Sequence, residues 1–252
     1  VRAHFTHKSF LNPPHRITID LIGAGGTGSQ VLTNLGRLHA TLILLGHPGI
    51  FVRCWDDDIV DTANMGRQLF SAADLYINKS VVLVSRLNAF FGTDWQAKPY
   101  KFDPKNFSNI TITCVDSIVA RIQVSKLLKA KKGLHFSDTP FYWLDMGNGH
   151  KHGQIVLGTV QAISQPASEQ FQTVRSMPHV VKKFPELKKM KDEESGPSCS
   201  LAEAIGKQDL FINSIIAQFG VNLIWKMFRE GMITHHGAYV NLNTMIVNPI
   251  KI

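Results

Sequence analysis

The sequence predicts an α/β fold: a doubly wound, mostly parallel sheet carrying a long crossing loop and a C-terminal helix-and-strand extension. Three observations predict it. Short β-branched runs alternate with helical patterns from Ile17 to Val160, the pattern of a parallel sheet covered on both faces. A glycine loop, Gly23-Ala24-Gly25-Gly26-Thr27-Gly28, closes the first run. Aspartates, Asp56 and Asp116, stand at the ends of two later ones. Such sheets bind ligands outside the C-terminal ends of their strands, so these distant groups are expected to meet in one crevice.

Ile17 to Ile22 is a β-branched, apolar run ending at the glycine loop, and Thr27 to Leu38 reads as the helix behind it. Ile50 to Trp55 is the second strand, with Asp56 at its end. Residues 39 to 49, with Gly46, Pro48 and Gly49, lengthen this first βαβ unit. Lys79 to Phe91 places Val82, Leu83, Leu87, Phe90 and Phe91 at helical spacing. Gln96 to Phe102 is a weak strand and Ile110 to Val115 a clear one, ending at Asp116. Ser117 to Lys131 is a basic amphipathic helix with Ile118, Ile122, Leu127 and Leu128 on or near one face. Phe141 to Met146 is a buried strand broken by Gly147-Asn148-Gly149, and Ile155 to Val160 is another strand. Residues 164 to 200 lose periodicity and read as a mobile crossing loop; a loop this long in a compact domain is usually functional or disordered. Leu201 to Phe228 is helical and Tyr239 to Val247 alternates as a final strand. Residues 1–163 thus form a nucleotide-binding part, which 201–252 complete as one domain.

At 252 residues, 44% of them apolar, the chain can bury a sizeable core. It has no apolar run of about 18 residues, so no membrane helix is expected, and its N-terminal residues lack a basic-then-apolar signal pattern. Cys54, Cys114 and Cys199 are odd in number and far apart, which argues against a disulfide framework or a four-cysteine zinc site and for a reducing cytoplasm. The net charge of +8 raises nucleic acid as a partner. However, the densest basic stretch, Lys182 to Lys191, runs straight into Asp192-Glu193-Glu194 without an aromatic ladder. A solvated loop is the better reading, and no nucleic-acid partner is expected.

Gly23, Gly25 and Gly28 satisfy G-x-G-x-x-G between a strand and a helix, with Gly26 inside the loop. Glycines let the backbone approach phosphates, and a helix N-terminus favours anions. This element alone fits NAD as well as ATP. Asp56 can accept both ribose hydroxyls, although the inserted segment puts it well beyond the ~20 residues usual for dinucleotide enzymes. Asp57 and Asp58 are expected to face solvent or cap the next turn. Asn64, Arg67 and Gln68 follow as donors, and Lys79 begins a helix from which it could reach a polyphosphate. Two cations with an amide pair suit phosphoryl or nucleotidyl transfer, where charge spreads over several oxygens. Asp116 is a magnesium candidate, or the N-cap of the helix after it. Cys199, in Gly-Pro-Ser-Cys-Ser before a helix, is a candidate thiolate nucleophile or an idle thiol. Cys54 and Cys114 read as core. His150, His152, His235 and His236 have no matching ligand spacing and read as surface or loop residues.

Gly23-Ala-Gly-Gly-Thr-Gly-Ser29, Asp56-x-Asp58-x-Val60, Asn64-x-x-Arg67-Gln68, Lys79 and Cys114-x-Asp116 together resemble the ubiquitin-activating-enzyme-like superfamily of ThiF and MoeB adenylyltransferases, over roughly residues 17 to 160. Within it the chain looks most like the ThiF-type members of bacterial PRTRC gene clusters. The resemblance implies a Rossmann-like adenylation domain, ATP and magnesium as cofactors, and a homodimer. It also implies a small ubiquitin-like (β-grasp) or sulfur-carrier protein whose C-terminal carboxylate is adenylated. By the same resemblance Asp56 would hold the ribose, Asn64, Arg67, Gln68 and Lys79 the phosphates, and Asp116 the metal, with a later thioester at Cys199. The paired Cys-x-x-Cys elements of many relatives are missing, so no zinc is expected. Arg2 is the candidate for the arginine that relatives supply from a partner subunit, since Arg16 should lie at the wrong end of the first strand. Two other readings stay open: an NAD-dependent oxidoreductase, which leaves Arg67, Gln68 and Lys79 without a task, and a non-catalytic binding module that keeps the nucleotide fold.

Overall fold

A computed structural model describes residues 1–128, 138–189 and 209–252. In chain order the strands are β1 (Arg2–Phe5), β2 (Ile17–Ile22), β3 (Ile50–Trp55), β4 (Gln96–Lys98), β5 (Ile110–Thr113) and β6 (Tyr142–Asn148). They continue with β7 (His152–Thr159), β8 (Gln172–Thr173), β9 (Met232–Ile233), β10 (His235–Asn241) and β11 (Ile246–Lys251). The helices are α1 (Gly26–Leu44), α2 (Lys79–Phe91), α3 (Ile118–Leu128), α4 (Val180–Lys183) and α5 (Ile212–Arg229).

Eight strands form one sheet in the order β11-β10-β7-β6-β5-β2-β3-β4. The five from β6 to β4 run parallel, and β7, β10 and β11 add an antiparallel wing. β2 is the pivot: Ile19 pairs with Val52 of β3 on one side and Ile110 of β5 on the other. The chain winds outward from β2 through β3 to β4, then returns to β5 on the opposite side, so the strand order reverses between β2 and β5.

Period-2 alternation supplies both faces. Ile17, Ile19, Leu21, Ile110 and Ile112 join α1, α2 and α5 residues such as Leu32, Leu83 and Ile216 in the larger core. Ile22, Trp55 and Trp143 face the other way, with Val124 of α3 and Val180 of α4. That second face also carries buried polar groups. Asp20, fully buried, pairs with Arg53 through Nε and Nη2, both at 2.8 Å, and accepts from Trp55 Nε1. Arg16 lies before β2, paired with Asp94 and stacked on Phe51.

Several boundaries differ from the expectation, for local reasons. α1 runs on to Leu44, so much of the segment between the first two strands is helix. β4 stops at Lys98 and β5 at Thr113, which leaves Asp116 in the turn beyond the strand rather than at its end. β6 continues through Gly147 and Asn148 because β7 pairs with it antiparallel, down to Asn148 opposite Gly153; glycine weakens a strand without ending it once a ladder is available. The single C-terminal strand is a hairpin, β10 and β11, with Met245 at φ 55 in its turn. Residues 164–189 contain β8 and α4, and β8 joins β1 and β9 in a separate three-stranded sheet. Short elements of two to four residues give too little periodicity to read. On α2, Phe90 is exposed while Leu83 and Leu87 are buried. On α3 the buried positions are Arg121, Val124, Ser125 and Leu128, not the isoleucines. No helix among the described residues is long and apolar enough to cross a membrane.

Histidines are built into this core. Val174 carbonyl can only accept, so His4 donates to it from Nδ1 at 2.6 Å and accepts the Tyr142 hydroxyl at Nε2, at 3.0 Å. Tyr142 in turn accepts the His7 amide. His236, expected at the surface, is buried and donates to Leu157 carbonyl at 2.7 Å; an imidazole whose donor meets a ladder carbonyl tolerates burial. Desolvation holds His4, His7, His39, His47 and His236 below the ordinary value near 6.5. A depressed folded pKa means that the unfolded chain takes up protons first as pH falls. The stability these groups give is therefore complete above about pH 6.5 and is lost as pH falls towards their depressed values. Thermal unfolding should show Tm falling from about pH 7 to about pH 5; a flat profile over that window would contradict buried, neutral His4 and His236.

Candidate nucleotide site at the strand switch point

The loop after β2 is shaped by three close approaches. Gly23 stands at φ +91, donates its amide to Trp55 carbonyl at 2.8 Å, and would put a Cβ 2.7 Å from Cys114 carbonyl. The loop is thereby pressed between the ends of β3 and β5, at the point where strand order reverses. Gly25 stands at the N-cap of α1 and makes no side-chain cap hydrogen bond; a helix N-terminus of this kind favours an anion. Gly28 sits beneath the loop, where a Cβ would lie 1.8 Å from Gly23 carbonyl. Its role is the close packing of helix on strand, and it does not line the crevice.

A crevice of about 1140 Å³ opens over this loop, lined by Gly23, Gly25, Gly26, Asp56, Arg67, Gln68, Lys79 and Asp116 among others. Eight of the positions picked out by sequence thus converge. Asp56 accepts the Ala24 amide at 2.5 Å through Oδ2 and the Asp58 amide at 2.9 Å through Oδ1. Burial pushes its carboxyl above the ordinary range, against the pull of those two amides and of Lys79. Lys79, nearly buried at the start of α2, pairs with Asp58 at 2.8 Å. Asp58 thus faces solvent, as expected, and pairs with the lysine from there rather than capping the turn. The helix is capped instead by Asn78, whose Oδ1 accepts the Val81 amide and whose Nδ2 donates to the Asp56 and Asp58 carbonyls.

Arg67 brings Nη1 to 2.9 Å from where a Gly26 Cβ would stand. Burial lowers its pKa while Asp116 raises it, so the two side chains sense one another across the crevice. Gln68 is buried, and its Oε1 has no hydrogen-bond partner among the described residues; a buried acceptor left open towards Gly25 suits a ligand hydroxyl or amine. Asn64 is not brought in. It braces the turn before Arg67, exchanging hydrogen bonds with Asp61 at 3.1 Å in each direction, and does not line the crevice.

Asp116 is exposed at the mouth. It is not the cap of α3: Ser117 Oγ accepts the Ala120 amide at 3.2 Å. Among the described residues no three His, Cys, Asp or Glu side chains form a metal cage. A single exposed carboxylate at the mouth of such a crevice nevertheless fits magnesium, which keeps most of its waters. Cys54 is buried core, as expected, but Cys114 is only part-buried and lies on the crevice floor beside Gly23 and Gly28; burial pushes both thiols up, against a reactive role. Cys199 lies outside the described residues.

Sequence reasoning missed two groups here. Arg121, which lines the crevice, forms a buried pair with Asp145, and a lone acid in the apolar run Phe141 to Met146 was the available signal. Asn148 and Asn213 both meet the Thr27 hydroxyl, at 3.1 and 2.9 Å, although β6 and α5 are far from the loop in sequence.

Fold and crevice define a doubly wound α/β protein of the mononucleotide-binding class. The chain belongs to the ThiF family, whose profile matches residues 14–249. No curated protein matches it significantly. Among solved structures it is similar to PaaA, with TM-score 0.60 and 13% identity over 94% of this chain and 64% of that one. It is also similar to MccB of E. coli, with TM-score 0.57 and 13% identity over 96% of this chain and 63% of that one. For E. coli MccB solved with MccA the values are 0.57 and 14%, over 96% and 65%. The chain spans less than two thirds of each of these structures, and at such identities the likeness is one of fold.

Proposed function

We propose that the protein is an ATP-dependent adenylyltransferase that activates the carboxylate of a small protein or peptide. The family resemblance favours a ubiquitin-like (β-grasp) or sulfur-carrier protein. One observation carries the reading: a ribose-type acid, a phosphate-type glycine loop, two cations and an exposed carboxylate share one crevice. A dehydrogenase needs the first two and has no use for the rest.

In this reading a carboxylate oxygen of the substrate attacks the α-phosphorus of ATP. The bond from that phosphorus to the bridging oxygen breaks, and pyrophosphate leaves with the electron pair. Asp56 holds the ribose through lone pairs not taken by Ala24 and Asp58. The α1 N-terminus and Arg67 face the phosphates, and Lys79 exchanges its pairing with Asp58 for a phosphate oxygen. These groups spread the charge that builds on the oxygens in the transition state. Asp116 would hold magnesium, which when bound neutralises phosphate charge. A homodimer belongs to the same proposal, and the exposed Phe211 and Phe219 on and beside α5 would serve its interface.

The test is thermal stabilisation by magnesium-ATP against NAD. A ligand that binds only the folded state raises stability by about 2.7 kcal/mol at a hundred times its Kd, roughly 5–10 °C for a chain this size at about 2–4 °C per kcal/mol. An ATP-selective shift is expected. An NAD-selective shift would replace the proposal with an oxidoreductase, and no shift with either would favour a scaffold.

A further inference from the structure

In the wall of the crevice, which Arg121 helps to line with Asp145 behind it, lies a charge pair that the reaction as proposed does not use. Arg121, on α3, is 7% exposed and Asp145, on β6, is 1% exposed. Arg121 Nε lies 3.0 and 3.2 Å from the two Asp145 oxygens. The other end of the guanidinium turns to the backbone, where Nη2 donates to Val115 carbonyl at 2.5 Å and Nη1 to Asp116 carbonyl at 3.4 Å. Asp145 is itself fixed. It accepts the Thr113 hydroxyl at 2.5 Å, and Thr113 Oγ1 accepts Trp143 Nε1–H at 2.9 Å. The space is reserved as well, since a Cβ on Gly147 would stand 2.8 Å from Arg121 Nη2.

Burying two charges carries a heavy desolvation cost, and apolar residues of similar volume often serve stability as well or better. Packing is therefore a weak reason for this pair to be here. What a guanidinium does that an apolar side chain does not is offer a rigid fork of donors, and this one spans from the sheet to the two carbonyls where the chain leaves β5. Those carbonyls belong to the turn that carries Asp116.

The geometry points to Arg121 as a positioning residue: anchored by Asp145, it clamps the Val115–Asp116 turn so that the Asp116 carboxylate is held ready for a divalent cation at the crevice mouth. The clamp is a property of the turn itself; its use for a metal rests on the adenylyltransferase reading. Arg121 touches neither substrate nor metal in this role.

Two variants of the full chain test it. Arg121→Lys keeps a charge for Asp145 but cannot fork to both carbonyls; Asp145→Asn keeps the shape and releases the anchor. Amide hydrogen exchange on nucleotide-free protein is the first readout. The segment 114–120 should exchange on the order of tenfold faster in either variant, with β2 and β3 unchanged. Manganese binding in the presence of ATP, followed by its electron spin resonance, is the second. Affinity should fall on the order of 10–100-fold, the usual cost of losing an outer-shell partner, while saturating metal restores nucleotide binding. Unchanged exchange at 114–120, or exchange raised evenly throughout the chain, would overturn the clamp. Loosening of the turn with unaltered manganese affinity would overturn its use for a metal. If wild-type protein binds no manganese-nucleotide, the adenylyltransferase reading fails, and exchange confined to 114–120 still upholds the clamp.

Discussion

Arg67→Ala is expected to lower adenylation on the order of 10²–10³-fold, equivalent to about 2.7–4 kcal/mol of transition-state stabilisation, with the fold intact. Its guanidinium lies beside Gly26, at the start of α1 where the loop's amides face the crevice. Burial weakens its hold on the proton and Asp116 strengthens it, and a guanidinium stays charged under such opposing shifts. Alanine leaves the helix N-terminus and Lys79 to stabilise the oxygens alone. ATP–pyrophosphate exchange with a confirmed carboxylate substrate measures the loss, and unfolding by circular dichroism checks the fold. Near-normal exchange would refute the role given to Arg67. A large fall in Tm would mean that it is structural instead.

The fold was legible wherever a strand is long, β-branched and flanked by a helix of two or more turns. Ile17–Ile22 and Ile50–Trp55 are delimited to the residue, because a largely apolar, β-branched run in each abuts a glycine-bearing turn. β1, β8 and β9, of two to four residues, owe their form to pairing with one another, which no local pattern records. The site was legible in its loop and strand-end groups, since backbone geometry fixes where such positions point. Asn64 and Asp58 show the boundary. An amide and an acid have the same composition whether they face a ligand or a neighbour, and only the fold shows Asn64 turned to Asp61 and Asp58 turned to Lys79. The Arg121–Asp145 pair was legible only in its acid, alone in an apolar run; that its partner is an arginine of α3 is recorded by no local pattern.

Two glycines of the one loop should answer substitution in opposite ways. In Gly28→Ala the new methyl would fall 1.8 Å from Gly23 carbonyl oxygen and 2.7 Å from its carbon. Both are backbone atoms of a loop already pressed against Cys114, so relief requires α1 to lift from β2. Overpacking of this kind costs about 3 kcal/mol or more, a fall in Tm of roughly 6–12 °C for a chain of this size. In Gly25→Ala the nearest atom to the methyl is Gln68 Oε1, at 4.0 Å, and the backbone has negative φ. Tm should then move by only about 2–3 °C, consistent with a cost near 1 kcal/mol. That methyl projects into the crevice where phosphate must approach the amides, so the stabilisation by magnesium-ATP should shrink or vanish. Thermal unfolding of both variants, with and without magnesium-ATP, decides the matter. A Gly28→Ala protein as stable as wild type would show that α1 does not pack this closely on the loop. A Gly25→Ala protein with a full magnesium-ATP shift would show that the phosphates do not lie against this turn.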